Sequence, residues 1–260
     1  MFSGLEKMMD RVADWIKESD KVVIFTGAGV STESGVPDFR SPGGIWDRYD
    51  PEDMTYQNFI TYPECRKKYW ELHYTCWHEF QGTVPNRAHL AIANLENRYQ
   101  KVTAVITQNV DELHQKSGND PNKVLELHGT MWKINCLSCS QLYPWEDLLY
   151  RLDKGENPPE CHYCGGLLKP ATISFGQQLP KTTLQQAQIK SRNADLFISI
   201  GSSLVVYPAA MLPQLAKKSG ARLVIINREL TPIDPWADLA IPGQAGEVME
   251  RIMHKLEEHD

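Results

Sequence analysis

The sequence lacks any apolar run longer than four residues; Val22-Val23-Ile24-Phe25 and Leu223-Val224-Ile225-Ile226 reach that length. A membrane-crossing helix needs about 20 apolar residues, so no such span is expected. The first twenty residues carry charges throughout and have no apolar stretch leading to a small-residue cleavage site. That argues against a secretory leader and makes the cytoplasm the default compartment. Positive charge is in deficit: 27 Lys and Arg face 33 Asp and Glu, a net charge of −6. Such a balance gives no bare electrostatic grip on DNA or RNA, because little counterion release would follow. It leans weakly toward basic peptide partners. Glycine (17) and proline (16) show no excess, which excludes collagen-like and low-complexity chains.

What is present suits a globular chain. The 260 residues, 42% apolar and 23% charged, fit one large domain carrying a small insert. Four of the six cysteines form two C-x-x-C pairs, Cys136/Cys139 and Cys161/Cys164, separated by 21 residues. That gap slightly exceeds the usual zinc-ribbon range of about 15–20. In a reducing compartment, paired knuckles indicate metal more often than disulfide. Four thiolates fill a tetrahedral zinc shell and leave no open position, so the metal would be structural, one per chain. The competing reading is a redox dithiol pair, for which a lone C-x-x-C at a helix start is the better pattern. Cys65 and Cys76 have no such spacing and read as packing residues.

Leu5, Met8, Met9, Val12, Trp15 and Ile16 recur at helical spacing and predict a helix over 4–19. Short β-rich runs follow at 21–26, 102–107, 195–200 and 221–227, each ending in polar or glycine-bearing turns, with helical stretches at 85–98, 208–219 and 245–257 between or after them. This alternation predicts an α/β fold: a Rossmann-like parallel sheet with helices on both faces, its ligands at the carboxyl ends of the strands. Residues 130–170, with both cysteine pairs and four prolines, read as a zinc-binding module too small for a core of its own. Residues 41–82, rich in Trp, Tyr and His, read as a helical insert lining a groove. The sheet domain would then comprise 1–40, 83–129 and 171–260.

Polar residues collect where strands end. Gly27 and Gly29 follow the first strand and would let backbone amides approach a phosphate; a tight structural turn explains them equally well. The third glycine of a dinucleotide fingerprint and the acidic residue that would hold a ribose are missing, so an ordinary dehydrogenase site is doubtful. Arg40 beside that loop suits a pyrophosphate, and Phe39 could exclude water from an apolar reaction centre. Gln108, Asn109 and Asp111 follow the strand at 102–107 and could read ribose hydroxyls and an amide, or cap a helix. His114 reads as structural. His128, at a strand end beside Gly129, could act as a general base near neutrality. Ser202 and Ser203 after one strand and Asn227 ending another suit phosphate and ribose contacts, or simply turns.

Taken in order, GAGVSTESGVPDFR (27–40), TQNVDELH (107–114), LHGT (127–130), the two C-x-x-C pairs, GSSLVVYPA (201–209) and VIIN (224–227) resemble the sirtuin family, of the bacterial and archaeal single-domain type. The resemblance covers nearly the whole chain. It implies an NAD-dependent protein deacetylase, an acyl transfer that yields nicotinamide, O-acetyl-ADP-ribose and free lysine. It implies NAD as co-substrate, structural zinc, acetylated-lysine proteins or peptides as partners, no nucleic acid or membrane, and a monomer. Gly27, Ala28, Gly29, Thr32, Asp38, Phe39 and Arg40 would hold the phosphates and the nicotinamide ribose. Gln108, Val110 and Asp111 would line the nicotinamide side, with Asn109 shaping the ribose pocket. Gly201, Ser202, Ser203 and Asn227 would hold the adenosine half, with Gln244 and Ala245 closing over adenine. His128, Asn109 and Asp111 would be catalytic, His128 taking a proton from the ribose hydroxyls after the acyl oxygen attacks C1′. Ile173, Phe175, Gly176 and Val205 would bind the peptide.

Departures from the family pattern bear on the substrate. Where relatives show R-P-D-V-V-x-F-G-E, this chain has KPATISFGQ (169–177), so Ala171 and Gln177 replace acids. Relatives that remove succinyl groups carry Tyr and Arg three residues apart in the helical insert; His73 and Cys76 stand at those places here. Without the arginine an acidic acyl group lacks a partner, so acetyl is expected over succinyl. Two other functions stay open on the sequence: ADP-ribosyl transfer or NAD hydrolysis through the same activated bond, and a non-catalytic NAD-sensing module.

Overall fold

The computed structural model describes residues 2–258; residue 1 and residues 259–260, the outermost positions of the ranges above, lie outside the described residues. The strands are β1 (Val22–Thr26), β2 (Val102–Thr107), β3 (Val124–Glu126), β4 (Gly129–Cys136), β5 (Leu142–Pro144), β6 (Leu168–Thr172), β7 (Leu196–Ile200), β8 (Arg222–Asn227) and β9 (Leu239–Pro242). The helices are α1 (Phe2–Glu18), α2 (Ile45–Arg48), α3 (Tyr56–Thr61), α4 (Pro63–Gln81), α5 (Arg87–Asn97), α6 (Leu113–Lys116), α7 (Trp145–Asp153), α8 (Lys181–Arg192), α9 (Met211–Lys218) and α10 (Ala245–Glu258). The predicted runs at 21–26, 102–107, 195–200 and 221–227 are strands to within one residue.

Six strands pair in parallel in the order β3-β2-β1-β7-β8-β9. Every residue of β1 and of β7 is buried, which is why these strands read as continuous apolar runs rather than alternating ones. One face packs on α1, α5 and α10 through Met9, Ile92, Leu95, Met249 and Ile252. The other packs on α8 and α9 through Ala187, Leu212 and Ala216. The doubly wound sheet predicted from the alternation is therefore present. Its order reverses between β1 and β7, and a crevice opens beyond the carboxyl ends of strands at such a reversal.

At that reversal the two strand-end loops touch backbone to backbone. The Gly29 N–H donates to the Gly201 carbonyl at 2.8 Å, and Gly27 N–H to the Ile200 carbonyl at 3.2 Å. A Cβ at Gly27 or Gly29 would meet Gly201 backbone atoms at 2.9 and 2.8 Å. Gly201 itself has φ +62° and a Cβ there would overlap Gly29 and Val30.

The stretches 41–82 and 130–170 share a core. Phe59, Tyr69, Trp70 and Trp77 from the first pack with Ile134, Cys136, Trp145, Leu148 and Cys161 from the second. The Trp70 ring lies edge-on to Trp145 at 5.8 Å and Trp77 stacks on Trp145 at 5.7 Å. Both indoles at the centre are satisfied, Trp70 Nε1 donating to the Leu168 carbonyl and Trp145 Nε1 to that of Met131. The cysteine-bearing stretch adds a small antiparallel sheet, β5-β4-β6, which begins at Gly129 and ends at Thr172, one or two residues beyond the expected limits.

Gly129 joins this small sheet to the large one. Its φ is +72°, and a Cβ would overlap the Ala171 carbonyl oxygen on the paired strand. Both effects oppose any side chain there. Gly129→Ala is expected to destabilise the fold by about 3 kcal/mol or more, measured as a shift of the urea unfolding midpoint; a shift below about 0.5 kcal/mol would contradict the close approach.

Candidate active site

A cavity of about 610 Å³ lies over the carboxyl ends of the strands, within the range of small-molecule sites. Its lining gathers Gly27, Ala28, Gly29, Thr32, Asp38, Phe39, Arg40, Gln108, Asn109, Val110, Asp111, His128, Ile173, Phe175, Gly176, Gly201, Ser202, Ser203, Asn227, Gln244 and Ala245. Widely separated stretches of chain supply these residues. Val205 does not join them: it is 44% exposed and outside the lining, and its neighbours Val206 and Tyr207 face the cavity instead. The reason is local, since the loop after β7 turns sharply at Leu204, φ +54°.

The loop after β2 is held from behind by a buried polar network. Asn109 Nδ2 donates to Ser31 Oγ at 2.9 Å, and Ser31 Oγ donates to Asp111 Oδ2 at 2.7 Å. The other Asp111 oxygen accepts the Leu113 N–H at 3.0 Å, so Asp111 both ties down the start of α6 and faces the cavity. His89 Nδ1 accepts the Asn86 N–H in the capping box of α5. In a neutral ring Nε2 therefore carries the proton and points at Ser31 Oγ, 3.4 Å away. Burial holds His89 down to about 4 and pushes Asp111 upward from its ordinary value. His114 is fully buried and bonded to Thr26 Oγ1 at 2.9 Å, a structural histidine as its sequence context implies.

His128 sits where the two sheets meet. Its Nδ1 lies 3.0 Å from the Gln108 carbonyl, an acceptor only, so Nδ1 bears the hydrogen and neutral Nε2 is left with its lone pair. Burial lowers its pKa, and the bond to Gln108 offsets part of that effect. The ring is accordingly a neutral base across the physiological range. Its own carbonyl accepts the Ile173 N–H at 2.8 Å, which binds it to the segment carrying Phe175 and Gly176. Gln108 also reaches across the crevice, donating through Nε2 to Ser202 Oγ at 2.9 Å.

At the first loop, both Asp38 oxygens are engaged locally, by Arg40 N–H, Ser41 N–H and Ser41 Oγ. Burial would raise this carboxyl, yet the Ser41 and Arg40 bonds outweigh it and hold it below the ordinary value. Asp38 thus fixes the turn that presents Phe39 and Arg40. Arg40 forms no ion pair with any carboxylate among the described residues and is exposed at the cavity edge, which leaves its guanidinium free for an anion. Phe39 lies over Trp46 at 5.2 Å, and Trp46 over Phe175 at 5.9 Å, forming an aromatic rim. Glycines, hydroxyls and an arginine without an ion pair among the described residues together fit a dinucleotide.

The insert expected to line a groove does so through α4, where sequence reasoning singled out His73 and Cys76 but not Tyr69, Leu72 and Phe80. Tyr69, Leu72, His73, Cys76 and Phe80 line the cavity. Tyr69 OH bonds Thr172 Oγ1 and Ser174 Oγ at 3.0 and 2.9 Å, and His73 Nε2 lies 3.1 Å from the same Thr172 oxygen. Burial, with the nearby Lys169 charge, holds His73 down to about 3, and burial pushes the Cys76 thiol up to about 12. Both are neutral. The only signal for them in the sequence was position, since their residue types fit a packed core equally well.

Away from the cavity, the Cys136, Cys139, Cys161 and Cys164 sulfurs lie within 4.8 Å of one another. Cys136–Cys164 and Cys139–Cys161 are 3.5 and 3.7 Å apart. Tetrahedral zinc at about 2.3 Å from each thiolate requires sulfurs about 3.8 Å apart, so the donor set fits that metal.

The Sir2 family model matches residues 27–208. The NAD-dependent protein deacetylase 1 of Bradyrhizobium diazoefficiens is 47% identical over 247 residues, covering 95% of this chain and 96% of that one. The NAD-dependent protein deacylase 2 of Archaeoglobus fulgidus is 43% identical over 253 residues, 97% of each. Among solved structures, a Sir2–p53 peptide–NAD+ complex superposes with TM-score 0.86 at 37% identity, covering 95% of this chain and 98% of the other. Sir2Af2 bound to a myristoylated histone peptide gives 0.78 at 39%, covering 98% of both.

Metal analysis of the purified chain is expected to give one zinc per chain. Stripping it with a strong chelator should lower the melting temperature, because Cys136 and Cys161 belong to the core shared with α4. A metal-free preparation with unchanged melting would contradict the assignment.

Proposed function

The chain belongs to the Sir2 family, and from that membership and the geometry of the cavity we propose that it is an NAD-dependent protein-lysine deacetylase, a transferase in which ADP-ribose accepts the acyl group. The observation that carries this reading is the neutral His128, anchored to the Gln108 carbonyl on one side and to Ile173 on the other. A base at that junction stands between loops suited to NAD and a segment suited to a peptide.

When bound, NAD supplies the electrophilic ribose carbon that the acyl oxygen attacks. Gly27, Ala28, Gly29, Thr32 and Arg40 take the phosphates; Ser202, Ser203, Asn227, Gln244 and Ala245 take the adenosine half. Gln108, Asn109, Val110 and Asp111 orient the nicotinamide end, Asn109 and Asp111 being rigid because Ser31 holds both. Phe39 and the rim it forms with Trp46 and Phe175 exclude water from the reacting bond. His128 Nε2 accepts the ribose hydroxyl proton. Ile173, Phe175 and Gly176 hold the peptide, and Val205 contributes only from outside the cavity mouth. The zinc held by the four cysteines stays structural, its four thiolates completing the shell.

The same reading makes the chain a cytoplasmic monomer acting on acetylated proteins, without nucleic acid or membrane. The net charge of −6 speaks against a nucleic-acid partner; no helix among the described residues is long and apolar enough to cross a membrane.

Incubation with NAD and an acetyl-lysine peptide should release nicotinamide, free lysine and O-acetyl-ADP-ribose, read by mass; modified protein or bare ADP-ribose would favour ADP-ribosyl transfer or hydrolysis instead. His128→Ala should keep NAD binding and lose about 10²- to 10⁴-fold in turnover. Because burial lowers the His128 pKa below 6.5, the acidic limb of kcat/KM should lie below pH 6.5 and be absent from the residual activity of that variant.

On acyl groups, neutral His73 and Cys76 offer a carboxylate nothing, and the nearby Arg48 is committed to Glu79 at 2.9 Å. Succinyl peptide should therefore turn over at least about tenfold more slowly in kcat/KM than acetyl peptide. Equal rates would refute this acyl preference without touching the deacetylase reading.

A further inference from the structure

Lys169 on β6 is 1% exposed, among the largest fully buried side chains of the molecule. Lysine is almost never fully buried unless paired with an acid, and among the described residues no carboxylate pairs with this one. Its Nζ instead donates to the Thr172 carbonyl and, at 3.4 Å, to the Pro170 carbonyl, and stands 5.0 Å from the centroid of the Tyr69 ring and 6.0 Å from that of Phe59. A desolvated ammonium costs far more than a methionine of similar shape would in the same place. Packing alone therefore does not account for it.

The carbonyl it grips belongs to one particular peptide group. Thr172 C=O and Ile173 N–H are the two ends of the same amide, and the Ile173 N–H donates to the His128 carbonyl at 2.8 Å. The amide is thus held between the Lys169 ammonium and the His128 backbone. A cation at its oxygen polarises the amide and strengthens its N–H as a donor, as in any hydrogen-bond chain. The side chain of the same Thr172 bonds Tyr69 OH and faces His73 Nε2, so the clamp also fixes the α4 wall against the strand.

We infer that Lys169 is a positioning residue: its buried ammonium orients the Thr172–Ile173 amide, and through it sets the His128 backbone and the strand edge that runs along the cavity. The inference rests on the reading of His128 as the base. It acts on the alignment of the base with the peptide and leaves the loops assigned to NAD alone, since Lys169 makes its contacts with Pro170, Thr172, Tyr69 and Phe59 and with none of those loops.

The test compares the parent with Lys169→Met and Lys169→Arg, each as the full zinc-loaded chain with NAD and an acetyl-lysine peptide. Lys169→Met is expected to lose about tenfold to hundredfold in kcat, with NAD affinity, measured by calorimetry, within about twofold of the parent. Lys169→Arg, which keeps a cation at the carbonyl, should recover most of the loss. Parent-like kcat in Lys169→Met, loss of NAD affinity in step with kcat, or absence of rescue by arginine would each overturn the inference. Should Lys169→Met not fold, Lys169→Gln takes its place with the same expectations; if neither neutral variant folds, the charge serves folding and the inference also fails. A parent that shows no deacetylation would instead remove the functional reading on which the inference stands.

Discussion

The cavity depends on one close approach, that of the β1 loop to the β7 loop at the point where the sheet order reverses. Three glycines permit it. Gly29 donates to Gly201 at 2.8 Å, and any side chain at Gly27, Gly29 or Gly201 would collide with the opposite backbone. Because the loops are sealed together beneath, Ala28, Ser202 and Ser203 line the crevice above the contact. Gln108 then spans it to Ser202, tying β2 into the same floor. The loops proposed to take the phosphates of NAD are thus shaped by backbone packing and not by an excess of basic side chains. In the proposed reading Arg40, which has no ion pair among the described residues, supplies the positive charge that a net charge of −6 does not.

Much of this was legible in the sequence. The apolar runs of β1, β2, β7 and β8 are buried on both faces, so their composition is set by the core and their boundaries read cleanly. The polar residues that follow them collect in one cavity because parallel strands deliver all their carboxyl ends to the same side. The cysteine spacing announced a four-thiol cluster because two C-x-x-C pairs match a tetrahedral donor set. Asp111 works on both sides of its loop: one oxygen accepts the Leu113 N–H at the start of α6 and the other the Ser31 hydroxyl.

What escaped the sequence was side-chain work done across long separations. The Ser31–Asn109–Asp111–His89 network joins three elements, and no local pattern marks Ser31 as its node. The part of the α4 wall beyond the His73 and Cys76 positions hides for a different reason. Its buried face carries Tyr69, His73 and Cys76 among the indoles, so the helix reads as compositionally mixed, not amphipathic. Val205 stands outside the cavity lining because the chain turns at Leu204, φ +54°, and Val206 and Tyr207 face in. A turn of this sort depends on backbone angles that residue identity does not dictate at a leucine.

The common core of α4 and the cysteine-bearing stretch joins two excursions that leave the large sheet far apart along the chain. Trp145 from one is enclosed by Trp70 and Trp77 from the other, with the indole hydrogens of Trp70 and Trp145 already committed. Substitutions in the two excursions are thus felt at one shared interior, where effects of neighbours do not add. Exchange of either excursion alone between related chains would leave mismatched indole packing, so the two are bound to be inherited, and to diverge, as a matched pair.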